Sequence, residues 1–295
     1  MACGGPPEGG HYVTRYEVVA SGFSRTSVSL HPQPMSLFAN PRPLVFAHRG
    51  GCALGPENTI AAFDLGMAAG ADGLEFDVHL SADDVVVVCH DDTLDRTTGV
   101  SGFVRARTAA ELARVDAGFH FRDTRGDFPF RERSVGIPTL REVLRRYPDI
   151  PLIVEMKVDS EAMGHALARD VRDAGAEPRV CAAGYSQRAI DAVRSSLPEM
   201  PTSACHPEVR LAVYRSMVHW PVRRVPYEMY QVPERAGVIR VVSPRFVRQA
   251  HEAGLRVQVW TVDDEPDMRR LLAWGVDGLI SNRPDVAVRV RDARG

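Results

Sequence analysis

Short apolar segments alternate with amphipathic segments from residue 44 almost to the end of the chain. Between most of the apolar runs, hydrophobic residues recur three and four positions apart, as is typical of helices; such patterns cover residues 59–69, 160–174, 187–195, 245–253 and 266–274. Helix ends are predicted at Gly70, Gly175, Gly254 and Gly275. The apolar runs have the length of strands and cover residues 44–47, 73–78, 152–156, 179–182, 202–205, 228–232, 257–260 and 278–281. Eight strands alternating with helices over about 250 residues predict a single α/β domain with a (β/α)₈ barrel of the TIM type. An open doubly wound sheet has the same alternation, but no GxGxxG motif follows the first strand.

Three segments depart from this alternation. Residues 1–40 begin rich in glycine and proline and show no clear period, which predicts a poorly ordered N-terminal extension before a barrel domain at 41–295. Residues 85–89 follow the second strand after four residues that end in Asp83-Asp84, which predicts a hairpin with acidic turn residues. Residues 99–138 contain one helical pattern, and we interpret them as an excursion from the barrel that could act as a lid.

The composition is normal for a soluble globular protein. Hydrophobic residues make up 44% of the chain and charged residues 25%, and the formal net charge of -2 gives no indication of nucleic-acid binding. No apolar run approaches the roughly 18 to 20 residues of a membrane span, and no secretory signal is recognisable, so the cytoplasm is the default location. The five widely spaced cysteines predict buried thiols rather than disulfides or a zinc site. The pattern does not indicate an oligomeric state.

Carboxylates occupy two neighbouring strands of the predicted barrel. Glu75 and Asp77 are two positions apart and therefore share one face of the second strand, and Glu155 shares a face with Lys157 on the third. Inward-facing carboxylates would repel each other unless a cation lay between them. Hard oxygen ligands favour Mg²⁺ or Ca²⁺, and the pattern does not choose between the two. Structural salt bridges to local arginines are the alternative interpretation.

Two histidines and one lysine add to this cluster. His48 and His90 each end a predicted strand, so one could take a proton from a nucleophile while the other gives a proton to a leaving oxygen. A lone histidine is more often a structural residue, and only the neighbouring carboxylates favour the catalytic interpretation. Lys157 is the only lysine among the 36 basic residues, which indicates a position that requires a compact ammonium rather than a flat guanidinium.

These motifs together resemble the glycerophosphodiester phosphodiesterase family. The resemblance runs from about Val45 to Pro284. It rests on His48-Arg49-Gly50, Pro56-Glu57-Asn58-Thr59, Glu75-Phe76-Asp77-Val78, His90-Asp91, Leu94-Asp95-Arg96-Thr97-Thr98, Glu155-Met156-Lys157 and Val259-Trp260-Thr261-Val262.

The resemblance implies a TIM barrel that hydrolyses glycerophosphodiesters to sn-glycerol 3-phosphate and an alcohol. It implies one divalent cation, a general acid/base pair and two phosphate-binding side chains. The implied residues are Glu75, Asp77 and Glu155 for the metal, His48 and His90 for the proton transfers, and Arg49 and Lys157 for the phosphate. Trp260, at a strand end, could wall the substrate pocket or simply pack in the barrel.

Several alternatives stay open at this point. A lysophospholipid could be the substrate of the same site, and a barrel that binds phosphodiesters without turnover is a third interpretation. Attack by water and attack by the glycerol hydroxyl fit the pattern equally well. Glu57 could be a further metal ligand or a helix-start acid. The chain has Ser281-Asn282-Arg283-Pro284 where family members usually have Thr-Asp-x-Pro, an exchange expected to touch no proposed ligand.

Overall fold

The computed structural model describes residues 37–38 and 40–293, and its strands form a barrel. The strands are β1 (Leu44–His48), β2 (Gly73–Leu80), β3 (Val86–Val88), β4 (Leu152–Met156), β5 (Val180–Gly184), β6 (Met229–Pro233), β7 (Arg235–Ala236), β8 (Ile239–Arg240), β9 (Arg256–Trp260) and β10 (Gly278–Ser281). Seven of them run parallel in the order β5-β4-β2-β1-β10-β9-β6. The prediction of a single TIM-type barrel is confirmed.

The eighth predicted strand, residues 202–205, is reduced to two isolated parallel bridges. Thr202 pairs with Ala182 of β5 and Ser203 pairs with Met229 of β6, so the cylinder is nearly closed. Pro201 lacks an amide hydrogen for further pairing. The amide of Cys205 already donates to the Glu208 carboxylate as the next helix begins. These two residues limit the length of the strand.

Nine α-helices occur in the part of the chain that the structure describes. They are α1 (Ile60–Ala68), α2 (Ala109–Leu112), α3 (Leu140–Arg146), α4 (Glu161–Asp173), α5 (Gln187–Ser196), α6 (His206–Met217), α7 (Pro244–Glu252), α8 (Glu265–Ala273) and α9 (Pro284–Asp292). Serine or threonine side chains accept a backbone hydrogen bond at the start of α1 to α5 and of α7. Positive φ angles at Gly70, Gly175, Gly254 and Gly275 confirm the predicted helix ends.

The strand alternation positions the site. In β1, Leu44 and Phe46 point into the barrel, where they pack with Ile153 and Ile280, whereas Val45 belongs to a second cluster that includes α7, α8 and α9. The next inward position after Phe46 is that of His48. Because every second residue of a strand faces the interior, polar side chains near the ends of β2 and β4 also point into the barrel mouth. Active sites of TIM barrels lie at this carboxyl-terminal edge of the strands.

The predicted hairpin is confirmed, because β3 pairs antiparallel with β2. Asp84 in its turn adopts a positive φ of 55°, which acidic turn residues tolerate. The excursion at 99–138 contains a short 3₁₀ turn (Val104–Ala106) and α2, and it buries Leu112 and Ile137 against Val87 of β3. Its role as a lid stays a prediction.

The N-terminal extension lies largely outside the described residues. Phe38 is described, and it stacks on Phe46 inside the barrel with ring centroids 6.0 Å apart. Cys52, Cys89, Cys181 and Cys205 are free thiols. Within the part of the chain that the structure describes, we find no helix whose length and apolar character would let it span a bilayer.

Candidate active site

Three carboxylates from two adjacent strands converge at the mouth of the barrel. The register of β2 against β4 sets Asp77 directly beside Glu155, and Glu75 lies two residues before Asp77 on the same face. One oxygen from each carboxylate lies within 4.8 Å of the others. Only 1% of the Asp77 side chain and 6% of the Glu75 side chain are exposed. The predicted acidic cluster is therefore present.

The cluster carries strong mutual repulsion. Burial and the negative charges of Asp77 and Glu155 raise the pKa of Glu75 well above its usual range. Burial also raises the pKa of Glu155, although the Lys157 ammonium opposes this shift. Burial has the same effect on Asp77, but Lys157 and Arg49 outweigh it and lower the pKa of that carboxyl. The site therefore holds more acidic groups than its own cations neutralise.

Two cations of the chain contact the cluster. Lys157 Nζ lies 2.9 Å from Asp77 Oδ1 and 2.8 Å from Glu155 Oε1. Arg49 Nε lies 3.3 Å from Asp77 Oδ2, and the Arg49 amide donates to Glu75 Oε2 over 3.0 Å. Arg49 has a positive φ of 51°, a strained conformation in which its amide contacts Glu75 and its guanidinium contacts Asp77. The only lysine is thus brought into the site, as the sequence predicted.

The donor set fits a hard divalent cation. Asp77 Oδ1 and Glu155 Oε1 are buried, and among the described residues both contact the Lys157 ammonium as their only cation. One ammonium shared by two buried carboxylates leaves lone pairs on both oxygens that a further cation could occupy. Carboxylate oxygens alone suit Mg²⁺ or Ca²⁺.

His48 is held by a chain of polar groups that starts at the other end of the sequence. Its Nδ1 lies 2.6 Å from Asn282 Oδ1, and Asn282 Nδ2 donates to Asp263 Oδ2 over 2.7 Å. Asn282 contacts none of the three carboxylates by hydrogen bond, but it does contact a predicted catalytic histidine. His48 Nε2 points toward the cluster, 3.9 Å from Glu75 Oε2. Burial lowers the pKa of His48, and the hydrogen bond that His48 donates to Asn282 Oδ1 opposes this shift only in part.

His90 lies in the loop after β3 and is held differently. Its Nδ1 lies 2.6 Å from Asp91 Oδ1, and its carbonyl oxygen lies 3.0 Å from His79 Nε2. Arg96 joins Asp91 to Glu57, which also forms an ion pair with Arg49 over 2.9 Å. Glu57 therefore orients arginines and is not among the clustered carboxylates.

A cleft of about 530 Å³ connects these groups. At one end it is lined by His48, Arg49, Glu75, His90, Glu155 and Lys157. Trp260 forms part of its wall and also packs on the interior core, so both predicted roles of this side chain occur together. The other end is lined mainly by apolar residues of α6 and the β7–β8 hairpin.

Three side chains that contact the site were not recognised from the sequence. Asn58 adopts a positive φ of 59°, donates to Asp77 Oδ2 over 2.8 Å and accepts from the Asp77 amide over 3.2 Å. It lies in the quoted Pro56-Glu57-Asn58-Thr59 motif, which was the available signal. The sequence showed Asn282 only as a replacement for the usual aspartate and gave no sign of its contact with His48. No feature of the sequence indicated Asp263.

The fixed positive charges of the cleft suit a substrate with negatively charged oxygens. The imidazoles in the same cleft suit proton transfer to and from those oxygens. At the carboxyl edge of a parallel barrel, this chemistry defines the class as a hydrolase of phosphate esters. Residues 48–286 match the Glycerophosphoryl diester phosphodiesterase family. The chain belongs to that family.

Relatives and solved structures agree with this assignment. The chain is 33% identical over 257 residues to a glycerophosphodiester phosphodiesterase of Caldanaerobacter subterraneus subsp. tengcongensis, covering 84% of this chain and 98% of the relative. It is 23% identical over 269 residues to a lysophospholipase D of Rattus norvegicus, covering 81% and 82%.

Two solved structures have the same fold. The glycerophosphodiester phosphodiesterase of Agrobacterium tumefaciens matches with a TM-score of 0.67 and 27% identity, covering 84% of this chain and 99% of that one. An Oleispira antarctica phosphodiesterase in complex with the product sn-glycerol-3-phosphate matches with a TM-score of 0.68 and 24% identity, covering 85% and 97%.

Proposed function

We propose that this chain hydrolyses glycerophosphodiesters to sn-glycerol 3-phosphate and an alcohol with the help of one divalent cation. The observation that carries the proposal is the convergence of three buried carboxylates with Lys157 in a cleft that also contains two histidines. The product complex of the Oleispira protein supports the choice of substrate class. The relatives named above support the reaction.

Glu75, Asp77 and Glu155 would hold the cation, Mg²⁺ or Ca²⁺. When bound, the cation would act as a Lewis acid that stabilises negative charge on the phosphate oxygens as it shifts in the transition state. Asn58 would keep Asp77 in place, because it is bonded to both the side chain and the backbone of that residue. The two buried oxygens that share one ammonium support this assignment.

Arg49 and Lys157 would bind the phosphate. Both side chains line the cleft and are mostly buried, with 18% and 16% exposed. Glu57 holds the Arg49 guanidinium through Nη1, whereas Asp77 contacts its Nε. A compact ammonium at Lys157 reaches between two carboxylates, where a planar guanidinium would need more room.

His48 would act as the general base. The Asn282 carbonyl oxygen can only accept, so His48 must donate from Nδ1 and its Nε2 is left with a free lone pair. The bond from Asn282 Nδ2 to Asp263 fixes which end of the amide faces the histidine. A pKa lowered by burial keeps the ring neutral at neutral pH. His90, whose Nδ1–H donates to the Asp91 carboxylate, would then protonate the leaving oxygen.

The test is release of sn-glycerol 3-phosphate from glycerophosphocholine, measured with a coupled dehydrogenase. We expect His48→Gln and His90→Gln each to lower kcat by about 10² to 10⁴. His165→Gln is the matched control, because His165 is an exposed residue of α4 that bonds Ser196 and does not line the cleft. Full activity of both site variants would refute the proposed roles. No release from any glycerophosphodiester would refute the function.

A lysophospholipid is the second candidate substrate, and one observation favours it. The end of the cleft away from the carboxylates is lined by Val209, Val213, Met217, Ile239 and Val241, which could contact a hydrocarbon chain. Comparing kcat/KM for glycerophosphocholine and lysophosphatidylcholine separates the two candidates. A higher value for the acylated substrate would favour the second.

A further inference from the structure

An apolar surface surrounds the open end of the cleft. Seven of the twelve large hydrophobic side chains exposed among the described residues lie on α6, just after it, or in the β7–β8 hairpin. Val238 is 91% exposed, Trp220 65% and Tyr214 62%. Only two of the twelve residues of α6 are buried, whereas α4 buries seven of thirteen. We call this surface the apolar rim; it comprises Leu211, Tyr214, Met217, Val218, Trp220, Val238 and Ile239.

The two segments that form this surface are rich in arginine. No acidic residue occurs between Glu208 and Glu228, while this stretch contains Arg210, Arg215, Arg223 and Arg224. The hairpin adds Arg235 and Arg240, again without an acidic residue. Within the described part of the chain, none of these six arginines forms an ion pair. The whole protein has a formal net charge of -2, so this positive charge is local.

The apolar rim is continuous with the cleft. Val209, Val213 and Met217 follow each other at four-residue spacing along α6, and all three line the cleft. Tyr214, Met217 and Ile239 belong to both the cleft wall and the exposed rim. Trp220 follows α6 by three residues, with its amide bonded to the Arg215 carbonyl. An amphiphile that enters the cleft would therefore pass this surface.

We propose that the apolar rim docks on an anionic lipid surface and opens the cleft toward it. Exposed tryptophan, aliphatic side chains and arginines on one face form the combination that binds the interface of an anionic bilayer. Arginines near such a surface each strengthen binding by about fivefold, and salt weakens this contribution. Docking does not depend on the proposed reaction.

The test is co-sedimentation of the full chain with vesicles of phosphatidylcholine, alone or mixed with phosphatidylglycerol. We expect binding to the mixed vesicles, weaker binding as salt is raised, and little binding to phosphatidylcholine alone. Combining Trp220→Ser with Val238→Ser should lower the partition coefficient by at least about tenfold. Combining Arg223→Ala with Arg224→Ala should lower it by about 25-fold.

Phe103→Ser is the matched control. Phe103 is 62% exposed but lies in the excursion after β3, so its replacement should leave vesicle binding unchanged. Hydrolysis of soluble glycerophosphocholine and the melting temperature should be the same for all these variants. Equal binding to both vesicle types, or wild-type binding by the Trp220/Val238 variant, would overturn the proposal. So would a stable dimer that the same variant dissociates. Co-sedimentation measures vesicle binding and does not require hydrolysis. A negative result for docking is therefore distinguishable from a negative result for the proposed reaction.

Discussion

We expect that replacing Asn282 by aspartate, the residue usual in the family at this position, lowers the stability of this protein. Asn282 donates its amide hydrogen to Asp263 over 2.7 Å while it accepts from His48. Aspartate cannot donate when ionised, so Asn282→Asp would replace this hydrogen bond by contact between two carboxylates. The two positions must therefore be considered as a pair.

The magnitude follows from the geometry. Two unit charges about 4 Å apart repel by about 4 kcal/mol at an effective dielectric constant of about 20. Rotation of the new side chain or uptake of a proton relieves part of this repulsion. We expect the free energy of unfolding to fall by about 2 to 3 kcal/mol, which lowers the melting temperature by roughly 5 to 10 °C in a domain of this size.

Combining Asn282→Asp with Asp263→Asn reverses the pair and should restore most of the loss. In the swapped pair the amide at position 263 donates to the carboxylate at position 282. Thermal unfolding of both single variants and of the double variant, monitored by circular dichroism, gives the coupling energy. An Asn282→Asp protein as stable as the wild type, or a double variant no better than the sum of its parts, would refute this reasoning.

The swapped pair also changes the pH dependence of activity. A base must be deprotonated to act, so kcat/KM falls as pH drops through the pKa of His48 in the free enzyme. Burial lowers that pKa below its ordinary value of about 6.5. A carboxylate at position 282 would favour the imidazolium and raise the pKa. We therefore expect the acidic limb of kcat/KM to move to higher pH in the swapped variant.

Three further predictions concern the cation, the support of α6 and the cleft wall. Mg²⁺ or Ca²⁺ at about 100 times its dissociation constant should stabilise the fold by about 2.7 kcal/mol, which raises the melting temperature in scanning fluorimetry by roughly 5 to 10 °C. Asp77→Asn should abolish this rise, whereas Glu161→Gln, at an exposed position, should keep it. A rise in the Asp77→Asn variant would contradict the metal site. Glu208→Gln should cost about 2 to 3 kcal/mol in urea unfolding, because Glu208 bonds the Arg194 guanidinium twice. Arg194 lowers the Glu208 pKa despite burial. The wild type should therefore exceed Glu208→Gln in free energy of unfolding by the full amount above about pH 4.3, and this difference should vanish as pH falls through the lowered pKa. A difference that does not depend on pH would exclude the ion pair. Trp260→Ala should raise KM more than it lowers kcat, and an unchanged KM would assign Trp260 to packing alone.

The fold could be predicted because burial imposes period-two and helical patterns on the sequence. Seven of the eight predicted strands are present, with bounds that differ by no more than two residues at either end. Helix α6 was not predicted, because its apolar residues are not confined to one face. The two-residue strands β7 and β8 are too short to show any pattern.

The site could be predicted only where its residues lie in strands. The spacing of Glu75 and Asp77 on β2, and of Glu155 and Lys157 at the end of β4, fixes their faces directly. Asn282 meets His48 across 234 positions of sequence, and only closure of the barrel brings them together. Such contacts leave no local periodicity.

Release of sn-glycerol 3-phosphate from glycerophosphocholine, before and after removal of divalent cations, tests the central claim most directly. The full chain treated with EDTA and desalted should lose its activity and regain it when Mg²⁺ or Ca²⁺ is added. Glu155→Gln should stay inactive under both conditions, because it removes one of the three proposed ligands. Undiminished turnover in EDTA, or restored turnover by the Glu155 variant at ordinary cation concentrations, would contradict the account.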